Sequence, residues 1–321
     1  MENSYVWYDI FLETLHKKFP KKTDLIQALM ELLYIEREAV YRRLRKDVIF
    51  TIQEVAKIVT AWNISLDMII GVNSDEVPFQ MRRINYIDPS EEELQFLRTV
   101  IAGIELMSNY PEAELMDICN KLPRQILAHY QYLNQFYLFK CSYQYSHGKE
   151  YNSFSQATVS DEKLQLTADY CKAIKNVPNT SFLWDRRLLN SLVSDIKYFY
   201  SILLINDEEK ELIKKDLYNL IDYYCNVANK GYYPETKCKV NLYISELNID
   251  TNYSYIFSPE ANICFVHVFE KYEIYTFDKE MVIHFRNWMQ LKKKTSIQIS
   301  EVDERRRIEY FANQKEIVDE L

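Results

Sequence analysis

Residues 22–71 read KTDLIQALMELLYIEREAVYRRLRKDVIFTIQEVAKIVTAWNISLDMIIG. Apolar residues recur at helical spacing in Asp24–Leu33, Glu36–Lys46 and Ile52–Trp62, and Leu66–Ile70 adds a short closing turn. Val6–Lys18 supplies one more helix ahead of them, so residues 6–71 predict five short helices. The start signals agree. Thr23 precedes the second helix, Thr51-Ile-Gln-Glu54 has the capping-box form, Ser65 can cap the fifth helix, and Gly71 can end it in the left-handed conformation.

The third helix carries the charge. Between Ile35 and Lys46 stand five basic and two acidic residues, inside a stretch, residues 1–72, that balances 10 Lys/Arg against 10 Asp/Glu. At 100° per residue, Val40 and Leu44 face inward, with Glu36, Arg37 and Arg43 flanking. Glu38, Arg42 and Arg45 lie opposite, with Tyr41 beside them. A helix of this kind fits the major groove, where arginine can make two bonds to guanine and glutamate can accept from cytosine. The structural alternative is a solvated face on an ordinary helical bundle, and charge alone favours it.

The order of elements decides otherwise. A helix with Leu29, Leu32 and Leu33, then Ile35 at a turn, the helix with inward Val40, the capped TIQEVAKIV and the closing NISLDMIIG resemble the helix-turn-helix of lambda-repressor, Cro and xenobiotic-response-element-like regulators. Where that family usually has glycine at the turn, this chain has Tyr34; where it often ends the recognition helix at glycine, this chain has Lys46-Asp47; and Met30 stands where a small residue is usual. The resemblance implies base-edge contacts from Glu36, Arg37, Glu38, Tyr41 and Arg42. It implies phosphate contacts from Lys21, Lys22, Arg45 and Lys46, with the amides near Thr23 assisting. It also implies double-stranded DNA as partner and binding as a homodimer on half-sites ~34 Å apart.

The remainder predicts a mainly α protein: a helix-turn-helix domain at 1–72, a linker at 73–89 carrying Pro78 and Pro89, a helical domain at 90–236, and a small α+β segment at 237–321 packed on it. Ser90-Glu-Glu-Glu93 is a capping box, Pro111 and Pro123 suit the first turns of two further helices, a loop surrounds Gly148, and helices are expected at about 160–176, 181–205 and 208–229. Beyond Lys237 the texture predicts strands at Lys239–Leu247 and Tyr253–Phe257, a hairpin of Ile263–Phe269 and Glu273–Phe277, a helix at Lys279–Leu291, a strand at Ser296–Ile299 and a terminal helix at about 303–320.

Composition excludes other classes. Only four glycines occur among 321 residues, none within thirty of another, so no loop can cradle a phosphate in the manner of a dinucleotide or nucleoside-triphosphate fold. Six scattered cysteines suit buried thiols rather than disulfides or zinc, and Cys264-Phe-Val-His267 lies in a strand-like run where residues three apart face opposite sides. No metal or cofactor is expected, and no enzyme activity. The net charge of −8 resides entirely beyond residue 72, so any DNA contact must be local. The first eighteen residues lack a secretion pattern, no apolar run reaches membrane length, and a cytoplasmic, membrane-free protein is expected.

Lys292-Lys-Lys294 and Arg305-Arg-Arg307 are a second basic cluster, better read as helix-end charges than as DNA contacts. The 26 tyrosines are more often core edges than a ligand box, although a small-molecule or peptide effector in the C-terminal region stays open. A protein-interaction adaptor built on the same bundle, without DNA, and an effector enzyme with its site within 160–321 are the rival functions.

Overall fold

The computed structural model describes residues 6–62, 64–70, 77, 79–82, 90–145, 153–157, 160–268 and 272–321. The chain divides into two compact units, Met1–Pro78 and Phe79–Leu321. Gly71, the loop around Gly148 and the turn at 270–271 lie outside the described residues.

The first unit is helical: α1 (Val6–Lys18), α2 (Lys22–Leu33), α3 (Arg37–Leu44), α4 (Ile52–Trp62) and α5 (Leu66–Ile70). Tyr8, Phe11, Leu12 and Leu15 recur along one face of α1 and close on Leu25 and Leu29 of α2, Val40 of α3, and Val55 and Ile58 of α4. Phe50, between α3 and α4, fills the centre against the rings of Tyr8 and Phe11. α2 starts two residues earlier than its sequence suggests, after an uncapped Lys21, and the Thr23 hydroxyl bonds to Asp24 instead of capping. The Thr51–Glu54 box forms as read, each residue accepting the other's amide.

Tyr34 ends α2 in the left-handed region, φ 57° and ψ 44°, its amide donating to the Met30 carbonyl at 2.9 Å. The side chain is 89% exposed, so no packing compensates the steric cost of ~1–2 kcal/mol that a Cβ brings there. Tyr34→Gly is therefore expected to raise stability by up to ~1 kcal/mol, after the greater freedom glycine confers on the unfolded chain, as read from denaturant midpoints.

The second unit is built on one eight-stranded sheet, order β1-β7-β6-β5-β2-β3-β4-β8. Its strands are β1 (Gln80–Arg82), β2 (Glu114–Cys119), β3 (Asn179–Trp184), β4 (Lys239–Ser245), β5 (Tyr253–Phe257), β6 (Asn262–Val268), β7 (Tyr272–Thr276) and β8 (Ser296–Gln298). β2, β3 and β4 run parallel; every other pairing is antiparallel. The parallel pairs need long crossovers, supplied by α7 (Arg124–Leu127), α8 (Gln131–Tyr145) and α9 (Asp161–Lys175), then by α10 (Asn190–Ser201) and α11 (Asp207–Lys230). α6 (Glu91–Met107) packs with α9, and α13 (Glu304–Asp319) with α11. Phe182, Trp184, Val240 and Leu242 meet α8, α10, α11 and α13, while Met116, Ile118, Leu183 and Tyr255 meet α12 (Lys279–Lys292). Alternate residues of the same strands thus feed two cores.

That burial on both faces corrects the expectation of a helical region at 90–236 followed by a small antiparallel segment. β2 and β3 are the middle of the sheet, and each is buried at five of six positions, so neither alternates in sequence. Pro111 precedes β2 rather than opening a helix, and Trp184 ends a strand where a helix was expected at 181–205. Gln80–Arg82, within the expected linker, pairs with β7 at the sheet's edge. α11 ends as read, at Gly231 with φ 74°, where a Cβ would collide with Glu301.

One charge sits inside this sheet. Asp117, 1% exposed in the middle of β2, accepts from Gln125 Nε2 at 2.7 Å, and burial pushes its carboxyl up to about 6. A carboxyl raised on folding stabilises the fold fully below its unfolded value of 3.8 and loses that contribution as pH climbs through about 6. The loss is worth up to ~3 kcal/mol at neutral pH. Asp117→Asn is expected to remove this decline, measured as denaturant stability at pH 4 and pH 7.5.

Candidate functional site

α3 is mostly polar, and tertiary bonds join the burial of Val40 in fixing its orientation. Arg43 is the anchor. Its Nη2 donates to Glu54 Oε1 at 2.7 Å, its Nε to Oε2 at 3.1 Å and its Nη1 to the Ala39 carbonyl at 3.0 Å. The two side chains are only 15% and 16% exposed. Glu54 Oε2 also takes the Thr51 amide at 2.8 Å. Burial works to raise the Glu54 carboxyl, but the bonds from Arg43 and Thr51 outweigh it and hold the group below the ordinary range. Tyr8 completes the joint: its hydroxyl donates to the Arg43 carbonyl at 3.1 Å and accepts the Phe50 amide at 3.2 Å. One carboxylate thus caps α4 and clamps α3.

The outer face of α3 divides into tied and untied charges. Arg45, 55% exposed, donates to Glu38 at 3.0 Å and to Asp47 at 3.1 Å, and Lys46 pairs with Asp9. Among the described residues neither Arg37 nor Arg42 pairs with a carboxylate, and both are exposed. Lys22 and Arg37 each lie 5.8 Å from the Tyr41 ring, placing a cation from α2 and one from α3 over the same aromatic group. Glu36 is the exposed, extended N-cap of α3, and Lys21, Lys22 and Thr23 are exposed at the start of α2. Lys46 has φ 66°, the second left-handed residue in this segment after Tyr34.

All ten expected contact residues therefore belong to the α2–α3 side of one unit, and nine are exposed, Tyr41 being half-buried. Glu38, Arg45 and Lys46 are engaged in ion pairs. Exposed pairs of that kind contribute little to stability and exchange readily for another partner. Sequence missed the Arg43–Glu54 fork and the Lys46–Asp9 pair, because both link residues brought together only by tertiary packing.

Other sequence candidates resolve into structure. Arg307 is buried, donating to the carbonyls of Ile299 and Val302 and to Asn229, and Lys293 reaches Ser181 with its amine lowered by burial. Cys264 is buried against α12, whereas His267 faces Glu273 at 3.4 Å. Tyr224 and Tyr233 are core residues, and Tyr223 bonds to Glu235. Among the described residues no group of three His, Cys, Asp or Glu could hold a metal ion, and no helix is long and apolar enough to cross a membrane.

Comparison with protein-family models, with curated proteins and with solved structures finds no match.

Removing the fork strands a half-buried carboxylate. Arg43→Ala is expected to destabilise the first unit by ~1–3 kcal/mol, with hydrogen exchange accelerating by one to two orders of magnitude at the α3 and α4 amides and unchanged along β2–β4.

Proposed function

We propose that the chain is a sequence-specific DNA-binding transcriptional regulator in which α3 enters the major groove and α2 lies across the backbone. The observation that carries this reading is the pair of left-handed residues, Tyr34 with φ 57° and Lys46 with φ 66°. They stand at the two positions where lambda-repressor-like regulators commonly have glycine, one between the two helices and one at the end of the second. A chain that accepts the steric cost at both places keeps the turn geometry without the residue that makes it easy.

The side chains refine the contact set. Arg42 and Arg37 are the untied guanidiniums, suited to the acceptors of guanine, and Tyr41 offers a ring beside them for a thymine methyl or sugar. Glu36 is a candidate acceptor from cytosine. Glu38 serves instead to hold Arg45 in place until phosphate competes for it. Lys21, Lys22, Arg45 and Lys46, with the Thr23 amide, supply the backbone contacts. Two copies would be needed for a tight site, since one helix of this size touches only a half-site.

The test is selection of binding sequences from random duplexes by the full chain. A palindrome with half-sites ~34 Å apart is the expected product. On that site Arg42→Ala should lose ~1–3 kcal/mol and relax the preference at one base pair, whereas Lys46→Ala should weaken all sequences alike and lower the log–log salt slope by about one. Failure of every duplex to bind at low salt, or unchanged affinity after Arg42→Ala, overturns the proposal.

A further inference from the structure

A cavity of about 200 Å³ opens in the second unit where β2 ends. β2 is the strand at which the sheet changes character, with parallel β3 on one side and antiparallel β5 on the other. The carboxyl end of β2 lies beside the amino end of antiparallel β5, so the loop that leaves β2 and the loop that enters β5 meet at the crevice.

The floor of the crevice is fixed. Asn252, 8% exposed, accepts the amides of Asn120 and Lys121 at 2.9 and 3.2 Å and donates to the Lys121 carbonyl at 3.0 Å. Asn120 in turn donates to the carbonyls of Ile249 and Asp250. The loop after β2 and the loop before β5 are thereby stapled together without help from a ligand, a preorganised wall.

The lining fixes the chemistry of an occupant. Its formal charges cancel, three cations (Lys121, Arg124, Lys140) against three carboxylates (Asp195, Asp250, Glu273). Lys140 is bonded to Asp195 at 2.7 Å, and His267 faces Glu273 at 3.4 Å. A phosphorylated or other multiply charged ligand would gain no net attraction here, and a zwitterion would compete with the Lys140–Asp195 and His267–Glu273 pairs for those groups. Hydroxyl groups displace neither, because each donates and accepts and can join an existing pair. The same lining includes the apolar side chains of Leu122, Leu127, Phe136 and Leu192, which suit the carbon face of a sugar ring. Pockets for drug-sized ligands run ~300–1,000 Å³, so this one is sized for a single ring.

We infer that this crevice is a binding site for a neutral, polyhydroxylated small molecule of monosaccharide size. The inference concerns the second unit alone and stands whether or not the first binds DNA.

The experiment is thermal unfolding and titration calorimetry of the full chain with D-glucose, D-galactose, D-xylose and N-acetyl-D-glucosamine, alongside glycine, L-glutamate and inorganic phosphate. At a hundredfold excess over Kd, at least one sugar should raise the unfolding midpoint by about 5–10 °C with saturable heat, and the charged probes should not. Leu192→Trp, which fills the cavity from α10, should abolish the shift. Asp250→Ala, at an exposed position that leaves the core intact, should weaken binding at least tenfold. The inference is overturned if no sugar binds, if glycine, glutamate or phosphate binds more tightly than every sugar, or if both variants bind as the parent does.

Discussion

The Arg43–Glu54 fork is the constraint on which the first unit turns. α3 buries only Val40 fully, so apolar packing alone would leave its rotation loosely set. The fork replaces that missing grip with directional bonds that tie α3 to the start of α4, and Tyr8 ties the same residue to α1. Because Arg43 points inward, its neighbour Arg42 is turned outward at a defined angle. The availability of one guanidinium is thus a consequence of the confinement of the next.

In the second unit the corresponding constraint is burial on both faces of β2 and β3. Strands that feed one core through odd residues and another through even ones cannot be moved by one position without sending each set into the core built for the other. The same geometry explains the placement of Asp117. Burial resists ionisation of a carboxyl there, and the bonds from Ser254 and Gln125 offset only part of that resistance.

Much of this architecture is legible in the sequence, and the pattern of what is not is physical. The five helices of the first unit are amphipathic at the surface of a small core, so their period shows directly. The strands from Lys239 onward and the helices α9, α11, α12 and α13 show for the same reason. ELMDIC and NTSFLW do not, because a strand covered on both sides has no polar partner face to reveal a period of two, and a short apolar run is shared by buried helices. Gln80–Arg82 is invisible for a different reason: three residues between prolines carry too little pattern to mark a strand. At the candidate interface the exposed positions follow from helical geometry. Which charges are spoken for does not, since Glu54 lies eleven residues from Arg43 and Asp9 lies in α1, far along the chain from Lys46.

The two outermost strands, β1 and β8, pair over only three residues each. A fringe that short offers few unsatisfied backbone groups to a foreign strand, and it blunts the tendency of an open sheet to grow by accretion. Association of the second unit by sheet extension is therefore disfavoured. The same stunted margins leave little foothold for amyloid-style stacking, which matters for a sheet whose central strands are buried on both faces.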